Sequence, residues 1–405
     1  MGKQMESMWQ ILFVCALFGL IAQVRGQSSG GVPVTLVDGA IEKNAVCIDG
    51  TPAGYHFDPG FGDGVNNWIV HLMGGGWCGL YTCFRRIGQF HGSTNGTGPM
   101  FFGGILSSNQ TANPEFYNWN RVYVRYCDGM SFLGDTEQDD SGHPVQLRGS
   151  RIFSAVMDEL LQVKGMQKAD NVLLSGSSAG GLASILHCDG FRALVPNSKR
   201  VKCVADAGFF IGAKNLPAAD GRYNGFAGLI QFHNATNLLP TSCTSKMNAS
   251  LCALPEYVVG DIQTPLFMVN SAFDSFQLQN MMKPDAPDLE GWNTKCVNNS
   301  ASDLPLPRPD TCTPPQMQLI KDFRGTFLDT IKGLADVPSR GLFITSCYNH
   351  VFIEDNTWTD TQCKLENKTI SEAVGDWYFD RSPVKLIDTT NDVPLNCNKA
   401  KYGSL

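Results

Sequence analysis

The chain has 405 residues, 14 cysteines and a formal net charge of −7 at pH 7. The charges are spread without a basic patch, which argues against a nucleic-acid partner. No stretch beyond the N-terminal region approaches the roughly eighteen apolar residues that predict a membrane-spanning helix. There is no low-complexity linker and no internal repeat, so we expect residues 27–405 to form a single domain and favour a monomer.

The N-terminal residues 1–26 predict a secretory signal peptide. Lys3 precedes an apolar run from Ile11 to Ala22, and this run is too short to cross a bilayer. Val24–Gly26 supplies small residues at the spacing of a cleavage site. We therefore expect cleavage near Gly26 and a secreted protein without a membrane anchor.

A glycine-rich loop follows one of the apolar runs of the chain. Trp68–Leu72 predicts a strand, and Met-Gly-Gly-Gly-Trp follows it at positions 73–77. In esterases, a loop at this position turns backbone N–H groups toward the developing oxyanion. We predict the N–H groups of Gly76 and Trp77 as two donors, each worth about 3–4 kcal/mol in the transition state. On its own, a glycine run equally indicates a flexible loop.

The segment 172–181 carries the most informative motif. The apolar residues Val172–Leu174 predict a strand that leads into Gly-Ser-Ser-Ala-Gly at positions 176–180. This is the G-x-S-x-G nucleophile elbow, and the helix-compatible segment 181–187 supplies the strand–turn–helix context that the motif requires. The pattern makes Ser178 the predicted nucleophile, although Ser177 is adjacent. The backbone N–H of Ala179 becomes the third predicted oxyanion donor.

A serine nucleophile needs a histidine base. Of the seven histidines, His233 and His350 lie well beyond the elbow helix. His350 follows the apolar run Gly341–Thr345, which predicts a buried strand ending in a loop. We predict His350 as the base; the alternative is a loop histidine bonded to a backbone carbonyl.

The acid should lie between the serine and the histidine in the chain, as in other elbow hydrolases. Pro265–Asn270 predicts a strand, and Asp274 follows it. We predict Asp274 as the acid; the alternative is an N-cap for the segment Ser275–Asn280. Asp206 would pair more naturally with His233, which would leave His350 without a role. The second choices for the acid are Asp206 and Asp261.

Strand-like and helix-like segments alternate along the chain. Residues 122–126 predict a strand, and apolar residues at helical spacing occupy 150–163 and 319–331. Such alternation predicts parallel βαβ units. We therefore predict an α/β-hydrolase-like fold with a mostly parallel sheet, helices on both faces and loop or lid insertions. Sites in such sheets lie at the carboxyl ends of the strands, where the three triad candidates fall.

Thirteen cysteines remain after Cys15, and in a secreted chain they predict disulfides. The close pairs are Cys78–Cys83, Cys188–Cys203, Cys243–Cys252 and Cys296–Cys312. The connectivity of the others stays open: Cys47, Cys127, Cys347, Cys363 and Cys397. Their odd number implies one cysteine that is free or paired outside the chain. We expect no metal and no cofactor, because no C-x-x-C or H-x-x-x-H spacing occurs.

Six N-glycosylation sequons are also typical of a secreted protein. They begin at Asn95, Asn109, Asn234, Asn248, Asn298 and Asn367.

Four segments resemble the plant pectin acetylesterases, a family that also includes the animal carboxylesterase Notum. They are Asn118–Val122, Arg125–Gly129, Gly180–Asp189 and Gly375–Arg381. The resemblance runs from about Leu36 to Pro394. It implies an α/β-hydrolase fold, deacetylation of cell-wall pectin, a triad at Ser178, Asp274 and His350, and an oxyanion loop at Gly75–Trp77.

Three positions depart from the family pattern. Met73 stands where the family has a glutamate, Ser177 stands where it has a cysteine before the nucleophile, and Val351 stands where it has a cysteine after the catalytic histidine. The last two remove thiols. A carboxylate beside the oxyanion loop could orient its backbone, so Met73 predicts a rate or substrate range that differs from the family's.

The resemblance makes the expected substrate a polyanion, acetylated pectin. An acidic protein then needs local cations at its cleft, and Arg85 and Arg86 follow the oxyanion loop. We predict that at least one binds a galacturonate carboxylate; the alternative is that both are solvated or paired with acids. Two other functions remain open: hydrolysis of another acyl ester, such as xylan acetate or a lipidated protein, and an inactive wall-binding glycoprotein.

Overall fold

Nine strands form one sheet in the part of the chain that the computed structural model describes, residues 31–140, 142–285, 289–297, 307 and 310–397. They are β1 (Val34–Leu36), β2 (Gly54–Asp58), β3 (Asn67–Leu72), β4 (Asn120–Val124), β7 (Asn171–Ser177), β8 (Arg200–Asp206), β9 (Leu266–Ser271), β10 (Arg340–Thr345) and β11 (Lys385–Ile387). A separate hairpin comprises β5 (Thr136–Asp140) and β6 (His143–Leu147). The order across the large sheet is β1-β2-β4-β3-β7-β8-β9-β10-β11, parallel from β4 onward and antiparallel at β1 and β2.

Helices alternate with these strands. They are α1 (Leu80–Phe84), α2 (Gly149–Gln162), α3 (Ala179–Leu194), α4 (Ala219–Phe232), α5 (Thr241–Thr244), α6 (Pro255–Val258), α7 (Ser275–Asn280), α8 (Pro314–Ile331) and α9 (Ile370–Tyr378). Every residue of β9 and β10 is buried, as expected for parallel strands covered on both faces. This arrangement confirms the predicted α/β-hydrolase-like fold.

The apolar spacing noted in the sequence faces the core. Ile152, Val156 and Leu160 of α2 are fully buried, at intervals of four residues. In α8, the side chain of Thr313 accepts a hydrogen bond from the backbone of Gln316, and the side chain of Gln316 accepts one in return. This capping box sets the start of the helix.

The strand order changes direction beside β3, and this determines where the site lies. β3 pairs with β4 on one side and with β7 on the other, and Leu72 at the end of β3 is level with Gly176. The loops that leave β3 and β7 are therefore neighbours. Crevices at such switch points are the usual ligand sites of open α/β sheets.

Six disulfides lie within the described residues. Four join the expected pairs, Cys78–Cys83, Cys188–Cys203, Cys243–Cys252 and Cys296–Cys312. Two join cysteines whose partners the sequence left open, Cys47–Cys127 and Cys347–Cys397. Cys363 is a buried free thiol, which accounts for the odd count.

No helix among the described residues has the length and apolarity needed to cross a membrane. The predicted signal peptide, residues 1–26, lies outside the described residues, as do Cys15 and the sequon at Asn298. The asparagines of the other five sequons are exposed: Asn95, Asn109, Asn234, Asn248 and Asn367.

Candidate active site

Ser178 lies at the sharp turn between β7 and α3. Its backbone has φ 58° and ψ −123°, a conformation that is costly for a non-glycine residue and typical of functional sites. The flanking glycines allow this turn. A Cβ at Gly176 would lie 2.2 Å from the carbonyl oxygen of Gly180, and one at Gly180 would lie 2.0 Å from that of Leu72.

The structure brings Ser178, His350 and Asp274 into one hydrogen-bonded chain. Nε2 of His350 lies 2.7 Å from Oγ of Ser178, and Nδ1 of His350 lies 2.8 Å from Oδ2 of Asp274. Serine, base and orienting acid are therefore in the order and at the distances that nucleophilic catalysis requires. His350 is half-buried and Ser178 is buried with 8% of its surface exposed, whereas Asp274 is fully buried.

The two carboxylate oxygens of Asp274 have different partners. Oδ2 faces His350, while Oδ1 accepts a hydrogen bond from the backbone N–H of Gln277 at 2.9 Å and caps α7. Asp274 therefore caps α7 and also bonds to His350, the contact that the predicted acid would make. The cap fixes the carboxylate in orientation, because one oxygen is held by the helix N-terminus.

The charges around His350 favour its protonated form. Burial acts to lower the pKa of His350, but the carboxylates of Asp274, Asp206 and Glu354 act in the opposite direction and leave that pKa above its ordinary value. A base with a raised pKa holds the proton of the serine hydroxyl more strongly during attack.

The glycine-rich loop lies against the elbow. A Cβ at Gly74 would lie 2.9 Å from Cβ of Ser178. Gly76 has φ +62°, which glycine adopts without strain. Within the described residues, the backbone N–H groups of Gly76, Trp77 and Ala179 make no hydrogen bond to another protein group. These three donors are therefore available to a ligand at the serine.

Three successive carbonyl oxygens of the same loop, those of residues 75–77, are held by side chains of the protein. Nη2 of Arg86 donates to the carbonyl oxygens of Gly75 and Trp77 at 2.9 and 3.4 Å, and the Tyr126 hydroxyl donates to that of Gly76 at 2.7 Å. Because these carbonyls are fixed, the peptide planes between them are also fixed. Arg86 thus acts on the backbone of the loop.

His233 supports the next residue of the loop. Its Nε2 donates to the carbonyl oxygen of Cys78 at 2.8 Å, and burial lowers the pKa of His233 to about 4. Cys78 is also held by its disulfide to Cys83. His233 is therefore a neutral structural histidine in contact with this loop, and it does not pair with Asp206.

Neither of the second-choice acids is hydrogen-bonded to His350. Asp261 forms an ion pair with Lys246. Asp206 is buried beside the site, but its Oδ2 accepts hydrogen bonds from the backbone N–H groups of Phe352 and Ile353 instead of contacting the His350 ring. Sequence reasoning missed this contact, because it depends on the fold of the loop after His350.

An aromatic wall, which we define as Trp77, Phe210 and Phe276, surrounds the imidazole and the oxyanion loop. The Phe276 ring stacks on His350 with ring centroids 5.1 Å apart, and the Phe210 ring centroid lies 6.3 Å from that of His350. Trp77 contacts Phe210 at 4.7 Å between centroids. Sequence reasoning did not include Phe276 in the site. Its position two residues after Asp274 was the signal that could have placed it there.

The other two residues that the sequence singled out, Arg85 and Met73, differ in exposure. Arg85 is exposed, with its guanidinium 5.4 Å from the centroid of the Tyr81 ring. Met73 is buried in the hydrophobic core.

The described residues contain two three-residue clusters with metal-ligand spacing, Cys78–Cys83–His233 and Cys347–Cys363–Cys397. Each includes a disulfide, whose sulfurs are not the thiolates that bind metals.

Comparisons with known proteins identify the family of the chain. The family model described as pectinacetylesterase matches residues 26–400. Pectin acetylesterase 11 of Arabidopsis thaliana is 41% identical over 399 residues, covering 97% of each chain, and pectin acetylesterase 7 of the same plant is 42% identical, covering 96% of each. The palmitoleoyl-protein carboxylesterase NOTUM of Schmidtea mediterranea is 25% identical over 82% of this chain and 60% of its own. The chain therefore belongs to the pectinacetylesterase family and is a carboxylic ester hydrolase.

Proposed function

We propose that this chain is a secreted serine esterase that removes O-acetyl groups from cell-wall pectin through Ser178, His350 and Asp274. The observation that carries the proposal is the hydrogen-bonded chain from Oγ of Ser178 through His350 to Asp274. Full-length similarity to two pectin acetylesterases supports the choice of substrate.

In the first half of the reaction, Oγ of Ser178 attacks the acetyl carbonyl carbon while Nε2 of His350 takes the hydroxyl proton. Asp274 orients the imidazole and stabilises the imidazolium. The negative charge on the carbonyl oxygen is met by the N–H groups of Gly76, Trp77 and Ala179. When the intermediate collapses, the bond to the sugar oxygen breaks and His350 donates its proton to that oxygen, which leaves as a hydroxyl.

In the second half, the acetyl group is bound to Ser178 as an ester. Water attacks the acetyl carbon while His350 takes a proton from it. The second intermediate collapses to acetate, and the proton on His350 returns to Oγ of Ser178. The cycle consumes one water for each acetyl group released.

The aromatic wall supports a small acyl group. Phe276 stacks on His350 and lies within 4 Å of the position of a Cβ on Gly76. The Phe210 side chain is fully buried against the same imidazole. We infer that rings packed this closely on the imidazole leave room for a methyl group and not for a long acyl chain. Acetyl transfer is therefore favoured over the long-chain alternative.

A cavity of about 660 Å³ beside the oxyanion loop is our candidate for holding the polysaccharide. Trp77 and Phe226 supply aromatic surface, Asn280 and Asn293 supply amides, and Lys283 supplies a cation. Since Arg86 is engaged by the loop carbonyls, the proposal that an arginine binds a galacturonate carboxylate is kept for Arg85 alone.

The proposed location is the cell wall. Six disulfides are typical of an oxidising compartment, and the five described sequon asparagines are accessible to glycosylation. Both features support the signal peptide that we proposed for residues 1–26, with residues 27–405 as one mature domain.

The test is acetate release from acetylated pectin, acetylated xylan and a long-chain lipid ester, measured side by side. We expect release from pectin to exceed that from the other two, and Ser178→Ala to abolish it. Hydrolysis of xylan or of the lipid ester alone would identify that ester, and not pectin, as the substrate. No release from any ester by the wild-type protein would instead favour a wall-binding glycoprotein.

A further inference from the structure

The carboxylate of Asp206 lies between the nucleophile elbow and the loop after His350. Asp206 ends β8, where the register of the sheet pairs it with Ser177. Its Oδ2 accepts hydrogen bonds from the Ser177 hydroxyl at 3.0 Å and from the backbone N–H groups of Phe352 and Ile353 at 2.8 and 3.1 Å. One oxygen atom thus joins the serine side of the site to the histidine side.

The loop after His350 needs an anchor because its backbone is strained. Val351 has φ 76°, which for a β-branched residue is an outlier and costs on the order of 1–3 kcal/mol. Such a conformation persists only where the surroundings hold it. Two anchors follow directly: Asp206 holds the N–H groups of residues 352 and 353, and Glu354 bonds to Nε2 of His71 at 2.9 Å.

The surroundings of Asp206 are unfavourable for a carboxylate. Its side chain is fully buried, and its Oδ1 has no hydrogen-bond partner among the described residues. Burial raises the pKa of Asp206 to about 7 despite the three donors at Oδ2. A buried and partly unpaired acceptor costs stability, so its presence beside the candidate triad indicates a use other than stability.

We propose that Asp206 is a positioning residue, whose carboxylate holds the loop after His350 so that the imidazole stays within hydrogen-bonding distance of Ser178. The inference rests on the proposed function of Ser178 and His350. Without the anchor, Val351 can relax to a negative φ, and this movement carries His350 away from the serine. A displacement of about 1 Å costs on the order of 100-fold in rate.

The test compares Asp206→Ala, Asp206→Asn and Asp189→Ala in the full-length secreted protein. Asp189 is a matched control, since its carboxylate also accepts backbone N–H groups, those of Gln263 and Thr264, but from the C-terminal half of α3. Three quantities are measured: the rate constant for labelling of Ser178 by a fluorophosphonate, kcat and KM for a small neutral acetyl ester, and hydrogen exchange of the amides at 352 and 353.

We expect Asp206→Ala to lower both the labelling rate and kcat about 100-fold, to change KM less than about threefold, and to remove the protection of the two amides. In Asp206→Asn the labelling rate and kcat should fall only about three- to tenfold, because the uncharged amide oxygen still accepts hydrogen bonds from the loop N–H groups. Asp189→Ala should keep the wild-type labelling rate.

An unchanged labelling rate or unchanged amide protection in folded Asp206→Ala would overturn the proposal. Equal losses in the Asn and Ala variants would also overturn it, because the effect would then come from charge. If Asp206→Ala is not secreted, Asp206→Asn is the deciding variant. A labelling rate or an amide protection equal to that of the wild type in Asp206→Asn would then reject the anchor. A wild-type protein that labels but releases no acetate from pectin rejects the proposed substrate and leaves the Asp206 comparison valid.

Discussion

The guanidinium of Arg86 donates a hydrogen bond to the carbonyl oxygen of Gly75 at 2.9 Å. This contact links a charged side chain from beyond α1 to the centre of the loop that offers its N–H groups beside Ser178. Arg86 is thus engaged by the loop backbone, and we propose its exposed neighbour Arg85 as the arginine that binds a galacturonate carboxylate.

Arg86→Ala and Arg85→Ala should therefore have different effects on kcat and KM. Arg86→Ala should lower kcat by about 10- to 100-fold on both pectin and a small neutral ester, because a misplaced oxyanion donor affects every substrate. Arg85→Ala should raise KM for pectin only, and that loss should shrink in high salt, since salt screens the attraction. Steady-state kinetics on the two substrates checks this; equal losses for Arg85→Ala on both would mean that it too supports the loop.

Ser178→Ala should abolish acetyl-ester hydrolysis without affecting secretion, because it deletes only the nucleophile. Ser177→Ala should keep most activity, since it removes only one of the three hydrogen bonds to Asp206. Initial rates of the two purified variants provide the measurement, and the opposite pattern would move the nucleophile to Ser177.

His350→Ala and Asp274→Asn should each lower kcat by roughly 10⁴-fold or more, because triad members act as a unit. The geometry gives Asp274→Asn a specific defect: an amide NH₂ in place of Oδ2 would face Nδ1 of His350 and favour the wrong tautomer. Single-turnover kinetics measures the chemical step directly. Near-wild-type turnover in Asp274→Asn would remove Asp274 from the triad.

The pH dependence follows from the raised pKa of His350. Only the neutral imidazole can accept the serine proton, so kcat/KM should rise with pH as His350 loses its proton. Because the pKa is raised, the midpoint of this limb should lie above the ordinary histidine value of about 6.5. A pH profile on a neutral ester, which has no titrating group of its own, tests this; a midpoint below that value would contradict it.

Phe276→Ala should widen the range of acyl groups. Removal of a ring that stacks on His350 opens space beside the serine, so the ratio of butyrate to acetate hydrolysis should rise by about tenfold or more, in line with the value of one or two methylenes in a pocket. Side-by-side kcat/KM values for p-nitrophenyl acetate and butyrate measure the ratio. Leu278→Ala in the same helix is a control for general damage to α7, because Leu278 is buried in the core. An equal rise of the ratio in that variant would mean that Phe276 does not select the acyl group.

The positions of the candidate triad could be predicted from the sequence because each member depends on local pattern and chain order. The elbow is a contiguous motif whose glycines are required by backbone contacts within a few residues and with the neighbouring strand end at Leu72. Asp274 and His350 each follow a continuous apolar run, and such runs form parallel strands whose carboxyl ends share one edge. The close cysteine pairs were predictable for the same local reason.

The tertiary structure alone decided the contacts that depend on which strands and loops are neighbours. Cys47–Cys127 and Cys347–Cys397 join residues 80 and 50 positions apart, a separation at which sequence spacing carries no pairing signal. Asp206 reaches the loop after His350 only because β8 lies beside β7 in the sheet. The half-buried Arg86 bonds to the loop because the fold places the carbonyl oxygens of Gly75 and Trp77 within reach of its guanidinium. Local sequence therefore determined which residues could react, and the packing of distant segments decided how those residues are held.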